Sequence, residues 1–450
     1  MLDRPLLFSA LNIIVMFSIL SIVGFEGSIL VSLLVGVFII FYNRKLVGFF
    51  NSTALAIAYL MLFDNDKIFA YTSLKLRVWY VLVIILIFYH VLKSVNNAKK
   101  TKLSIELCLI IFLFILVCCW FIVDTYNGKL SIIKYMLFSV GSIYVLLKSF
   151  KSISLKVGTE RLLDYFISLV AFVATWGIVQ FVMNILGHGS PYMFDFYNIR
   201  PSAFFSETTW YAEYSFFGLI FLSCKSVVYN NYKYNFLFVL IVISLVLSAT
   251  RNAYLSFVVF GGGMMFLNLL RGKIYIPKFR YIIICLGILV GVLSIFQDQI
   301  NFICNKFMNL DNSSQGRLYA INTSWNSFLE SPIWGYGFSF DQTKDSIGIS
   351  GTSIGAKSFN LFLMLLHIFG LSGFIPFLLL LLAFFTKNAY KYRAGNQFSR
   401  YAFLFLSIFL SMSMFAPLHQ YPFGMYIVAV ALFFSSKIKY DEDCVRNSVT

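Results

Sequence analysis

Apolar residues run along this chain in long blocks, and polar and charged residues are confined to the short stretches between them. A helix needs about 20 apolar residues to cross the hydrocarbon core of a bilayer, within a range of about 17–25. Tilted or buried spans depart from that length. On this measure the pattern predicts fourteen spans: residues 6–23, 27–42, 46–63, 77–93, 104–123, 131–148, 162–186, 211–229, 234–249, 252–270, 279–296, 358–386, 401–416 and 421–436. Asn51, Ser52 and Thr53 interrupt the third, and the last two are short. The predicted fold is an all-α, polytopic transmembrane helical bundle. It divides into N-terminal spans (1–186), a first outer loop (187–210), central spans (211–296), a large outer loop (297–357) and C-terminal spans with a tail (358–450).

Orientation follows from Lys and Arg. With Arg4 placed in the cytoplasm, about 24 of the 35 basic residues fall inside, among them Lys99, Lys100, Lys151, Lys156, Arg271, Lys391 and Lys437. The alternation predicts N-in, C-in, and removing any one span would break it. The loop 297–357 is too long to be structureless in a compact protein and is expected to be functional and partly helical. Within it Leu318, Ile321, Trp325 and Phe328 recur at helical spacing, which predicts an amphipathic helix at the membrane face over 317–330.

Composition sharpens this. The chain has 450 residues, 60% of them hydrophobic and 12% charged, against about 45–50% and 25% in soluble domains. So few polar residues cannot cover a water-facing surface. The net charge of +16 is scattered in short clusters, whereas nucleic-acid binding needs a contiguous basic surface; no nucleic-acid partner is expected. The seven cysteines show no C-x-x-C spacing, and most lie in apolar runs, where a thiol acts as a small hydrophobe. No small-residue cleavage site ends the first apolar run, so no removable signal peptide is expected.

Ionisable groups at membrane depth or beside it are functional candidates. Arg200 opens Arg200-Pro-Ser-Ala-Phe-Phe-Ser-Glu207, which leads through Thr208-Thr-Trp-Tyr211 into a span. The pair reads as an anion clamp beside a carboxylate base, or as a surface ion pair; Glu213, further along, is the alternative carboxylate. Arg251 follows Ser248-Ala-Thr with almost no loop and points into a cavity or snorkels to headgroups. Arg317 begins the amphipathic helix, where it is a site residue or a surface charge. Ser331-Pro-Ile-Trp334-Gly335-Tyr336-Gly337 places glycines where a backbone can turn sharply and approach a ligand. Three converging guanidiniums would suit a diphosphate, because they bind phosphate bidentately and stay charged. They would stabilise a diphosphate leaving group without a metal, while Glu207 deprotonated an attacking hydroxyl. Asp64-Asn-Asp66 would face outside, away from nucleotide sugars; Gly261-Gly-Gly263 reads as close helix packing; His90, His188, His367 and His419 have no ligand spacing.

In this order the motifs resemble the O-antigen polymerase and O-antigen ligase superfamily. Arg200 to Glu207 resembles its Arg-containing loop, Ser248-Ala-Thr-Arg251 its Ser-Arg helix start, and Arg317 with Trp325 and Pro332-Ile-Trp-Gly335-Tyr-Gly337 the ends of its large periplasmic loop. Asn360-Leu-Phe-Leu363 with Phe369-Gly370-Leu-Ser-Gly373 resembles the helix that follows. The resemblance covers roughly 195–375. It implies a glycosyltransferase of the bacterial inner membrane, with polyprenyl-diphosphate-linked oligosaccharides as donor and acceptor, no cofactor or metal, and a separate chain-length regulator as a partner. It carries the diphosphate-engaging role to Arg200, Arg251 and Arg317; with Glu207 as the base these are the candidate catalytic residues, and Tyr211, Trp334, Gly335, Tyr336, Gly337 and Asn360 are the candidate substrate-binding residues. The ligase branch has a histidine where this chain has Phe359, which favours the polymerase branch. A ligase and a lipid-linked-oligosaccharide flippase or other transporter are the competing readings; no matching halves support the latter.

Overall fold

The computed structural model describes residues 33–63, 78–96, 112, 114–119, 121–122, 135–186, 201–203, 205, 208–229, 235–248, 250–272, 321–322, 324–337, 360–414 and 422–437. Among them there are helices and turns but no strand. The principal helices are α1 (Phe49–Leu60), α2 (Val78–Asn96), α3 (Gly141–Val157), α4 (Thr159–Ile185), α5 (Thr208–Tyr229), α6 (Asn235–Ser248), α7 (Arg251–Leu270), α8 (Leu361–Arg393), α9 (Gln397–Ser413) and α10 (Pro422–Ser436). Residues 33–47 and 324–330 are also helical. α4 and α8 are long and apolar enough to cross a membrane, while α1 and most of α2, α6, α7 and α10 are shorter apolar helices. The expected spans 6–23 and 279–296 lie outside the described residues.

The described apolar runs are helical because a buried or lipid-facing backbone must satisfy its own hydrogen bonds. The polar trio that weakened the third run is absorbed locally. Asn51 Nδ2 donates to Val47 O at 2.9 Å and to Ser152 Oγ of α3 at 3.0 Å. The Ser52 and Thr53 hydroxyls donate to Gly48 O and Phe49 O, both at 2.9 Å. Gly48 (φ 88°) separates 33–47 from α1, and Gly158 (φ 89°) separates α3 from α4. Within the expected span 131–148, Tyr135–Val140 is π-helical.

α5 is the centre, packed against α4, α6, α7 and α9. Tyr214, Phe216, Phe217 and Phe221 are fully buried along it. Gly218 lets α4 approach: a Cβ there would stand 2.4 Å from Val170 Cγ1, the small-residue contact that packs helices in lipid. Of the three consecutive glycines of α7, only Gly263 packs closely, against Leu404; Gly261 and Gly262 face open space. The outside is apolar too. Phe88, Leu92, Phe236 and Val258 are 66, 65, 73 and 71% exposed, a surface suited to lipid rather than water.

Basic residues tie helix ends together. Lys156 of α3 donates to Val47 O at 2.9 Å, next to the start of α1. Lys225 of α5 is buried against Asp164 at 2.6 Å and Glu160 at 2.9 Å, both on α4. Arg271, just past α7, donates Nε to Tyr392 O of α8 at 2.9 Å, with its guanidinium 3.8 Å from the Tyr392 ring centroid. Lys391 of α8 donates to Ser435 O of α10 at 2.6 Å. All of these are residues that the charge pattern assigns to one side.

Candidate functional site

Polar groups gather where the C-terminal part of α4 meets the first turns of α5 and α7. Gln180, on an otherwise apolar stretch of α4, grips the main chain of Ala203 with both ends of its amide: Nε2 donates to Ala203 O at 2.9 Å, and Ala203 N donates to Oε1 at 2.7 Å. Ala203 holds φ 48°, a left-handed conformation that costs a non-glycine residue about 1–2 kcal/mol. Phe205 N closes the turn onto Ser202 O at 3.0 Å, and the Phe205 ring wedges against Tyr214 and Phe423 at 5.8 and 5.1 Å. A strained turn thus persists because its surroundings fix it. It sits within the stretch that runs from Arg200 to Glu207.

Two turns into α5, Glu213 is fully buried, and its Oε1 accepts from Asn252 Nδ2 at 3.0 Å. Asn252 is the second residue of α7, immediately after Arg251. A two-residue connection joins α6 to α7. Ser248 Oγ donates to Leu245 O at 2.6 Å and lies 3.4 Å from Thr250 Oγ1, and the extended backbone of Thr250 hands over to α7 at Arg251. The Glu213 carboxylate therefore stands at the N-terminal end of a helix, where negative charge is favoured. Below it, Ser244 of α6 donates to Ser215 of α5 at 3.0 Å. Tyr211 is fully buried, its hydroxyl donating to Ala174 O at 3.2 Å. Its ring occupies the space left by Gly177, where a Cβ would come within 2.3 Å.

A second construction joins the large loop to α8. Residues Leu361–Arg393 form one helix broken at Gly370 (φ 59°, ψ −158°), while Pro376 lies inside the second part without ending it. The break would expose main-chain groups, and the segment after Ser331 takes them up. Tyr336 N donates to His367 O at 2.8 Å and Gly337 N to Ile368 O at 3.0 Å; Leu371 N donates to Pro332 O at 2.8 Å and Ser372 N to Ile333 O at 3.0 Å. This clasp of the loop on α8 needs two glycines. A Cβ on Gly335 would lie 2.4 Å from Ile368 O, and one on Gly370 would lie 2.4 Å from Ile333 O. Ser331 Oγ donates to Gly335 O at 2.9 Å and locks the turn.

Tyr336 stacks on the buried His367, with ring centroids 6.0 Å apart and planes 13° apart, and its hydroxyl donates to Glu330. The hydrogen bond to the Glu330 carboxylate holds the Tyr336 phenol above its ordinary pKa. Trp334 is 62% exposed beside Ile333 at 59%. In the preceding helical turns Ser324, Ser327 and Phe328 face inward while Trp325 and Leu329 are exposed. Asn360 caps α8: its Oδ1 accepts from Phe362 N at 2.9 Å and Leu363 N at 3.1 Å.

Arg200, Glu207 and Arg317 lie outside the described residues, and of Arg251 only the main chain is described. Among the expected binding residues, Gly335, Tyr336 and Gly337 are brought together with Trp334 on the break of α8. Tyr211 belongs to the α4–α5 packing, and Asn360 starts α8. Gln180, Asn252 and Gly370 were not singled out as site residues from the sequence. A lone Gln in an apolar run, and an Asn one residue after a candidate Arg, were the available signals.

Comparison with curated proteins and with solved structures gives no match. Residues 236–378, from α6 through the large loop into α8, match the family model described as O-antigen ligase.

Proposed function

We propose that this chain is a polymerase of the superfamily, joining oligosaccharide repeat units of O-antigen or a related surface polysaccharide at the outer face of the inner membrane. The superfamily consists of membrane-embedded, glycosyltransferase-like enzymes that act on lipid-linked glycans. The finer reading is supported by the start of α7. The family match includes it, and there Arg251 begins the helix one residue before Asn252 of the buried pair Glu213–Asn252.

In this reading fourteen spans run N-in, C-in, so the start of α7 and the clasp on α8 face the periplasm. Arg200, Arg251 and Arg317 hold the diphosphate of the donor, whose polyprenyl tail lies along the apolar outer surface. A hydroxyl of the incoming lipid-linked unit attacks the anomeric carbon of the nascent chain. Its proton passes to Glu207. The bond from the anomeric carbon to the diphosphate oxygen breaks, and polyprenyl diphosphate leaves with that electron pair, its charge met by the guanidiniums. Tyr336, Trp334 and the main chain of Gly335 and Gly337 border the sugar path, while Tyr211 and Asn360 set the helices that frame it. No metal takes part, and a separate protein sets chain length.

Phe359, in place of the histidine of the ligase branch, favours polymerase over ligase. The test is a gene deletion with the surface glycan resolved on a gel. A single attached repeat unit is the expected phenotype. Loss of all attached glycan would instead identify a ligase, and units accumulating on the inner side a flippase.

A further inference from the structure

At the end of the bundle opposite the clasp, α3, α8 and α10 bring five lysines into one corner. Phe150 of α3 packs on Phe433 of α10, ring centroids 6.3 Å apart, with Lys148 and Lys151 on either side of it in sequence. Lys437 Nζ lies 5.4 Å from the same Phe433 ring. Lys391 Nζ reaches Ser435 O at 2.6 Å, and Lys387 is one turn before it on α8. Asn396 fixes the corner by donating to Lys437 O at 2.7 Å. The five differ in depth: Lys437 is buried, Lys151 and Lys391 half-buried, Lys148 and Lys387 exposed. α3, α8, α9 and α10 contain no Asp or Glu. Lys151 lies past the expected span 131–148; burial first, then the charges of Lys148, Lys387, Lys391 and Lys437, push its pKa down.

Basic residues at the cytoplasmic ends of spans are common and need no ligand. Five ammoniums drawn from α3, α8 and the end of α10, graded from buried to exposed, gather in one corner rather than along a fringe. We infer that this corner is a binding site for a phosphate-bearing anion, supplied by the headgroup of an anionic phospholipid in the adjoining leaflet. A headgroup phosphate would sit among Lys151, Lys387 and Lys391, and its acyl chains would run along the apolar flank of α8, where Leu378, Leu379 and Leu382 are exposed. The inference is independent of the transfer reaction.

The test uses the full chain purified in neutral detergent, with its melting temperature followed on adding phosphatidylglycerol, phosphatidylcholine or inorganic phosphate. Phosphatidylglycerol should raise the wild type by ~3 °C or more beyond phosphatidylcholine. K151Q/K387Q/K391Q should lose that difference. K151R/K387R/K391R, which keeps the charge and serves as the folding control, should retain it. An equal rise from inorganic phosphate would support the site with a free anion as its ligand. No response to either anion, or an unchanged response in the Gln variant, would overturn the inference. So would a lipid response that emerges only in D441N/E442Q/D443N, because the chain's own acidic tail would then be the occupant.

Discussion

Consider replacing Gly335 with alanine. The new methyl would lie 2.4 Å from Ile368 O, 2.5 Å from Gly370 N and 2.6 Å from Ile368 C. These are backbone atoms, so no rotamer change relieves the clash. The φ of 75° adds about 1–2 kcal/mol for a residue with a Cβ. Backing the loop away breaks at least the bonds from Tyr336 N and Gly337 N to α8, about 1 kcal/mol each. The clasp should therefore weaken by about 3–4 kcal/mol, an increase of about 100- to 1,000-fold in the population with the loop undocked. Hydrogen exchange on the detergent-solubilised protein reads this directly: the Tyr336, Gly337, Leu371 and Ser372 amides should lose protection while those of α5 keep theirs. Gly370→Ala should do the same, and the double variant should fall short of additivity, because both break one contact. Gly261→Ala is the control. A Cβ there meets nothing within 4 Å, and alanine favours a helix over glycine by about 1 kcal/mol, so protection should be unchanged or improved. Unaltered protection in Gly335→Ala would refute the clasp.

Gln180→Ala removes both bonds that hold the left-handed turn at Ala203, and should cost about 2–3 kcal/mol and expose the 201–205 segment to limited proteolysis, with Ala203→Gly restoring part of the loss. Lys225→Met leaves Asp164 and Glu160 facing an apolar side chain and should lower the melting temperature. The cost approaches about 3 kcal/mol, while Glu160→Gln, at a half-exposed partner, should change it little. Tyr336 has its phenol pKa raised by Glu330. Its bond is therefore intact below the ordinary phenol value, near pH 10, and lost as pH rises past the folded value. Wild type and Tyr336→Phe should thus differ in loop proteolysis at pH 8 and converge above that raised value.

Helix positions were legible because an apolar run in lipid has one cheap conformation. The expected 162–186, 211–229, 234–249 and 252–270 differ from α4 to α7 by three residues at most. The interrupted third run was legible as a helix only through charge alternation; Asn51 is accommodated because Ser152, about a hundred positions away, receives its amide. The break in α8 was not visible. Gly370 sits in a stretch that hydropathy reads as one span, and the groups that satisfy its freed backbone come from Pro332 to Gly337. The expected 358–386 also stops short of Arg393, because the helix continues as a polar segment that hydropathy does not score. The candidate site divides similarly. Arg251, Trp334, Tyr336 and the two glycines were singled out by residue type, whereas Gln180 and Asn252 act through partners set by folding.

Chain extension by the purified protein, reconstituted in liposomes with a polyprenyl-diphosphate-linked repeat unit and a metal chelator, tests the central claim most directly. A ladder of lengthened lipid-linked glycan with release of polyprenyl diphosphate is predicted for the wild type, and none for Arg200→Ala, Arg251→Ala, Arg317→Ala or Arg251→Lys, since an ammonium lacks the planar fork. Ladders from all three alanine variants, or transfer only onto a core-lipid acceptor, would contradict it.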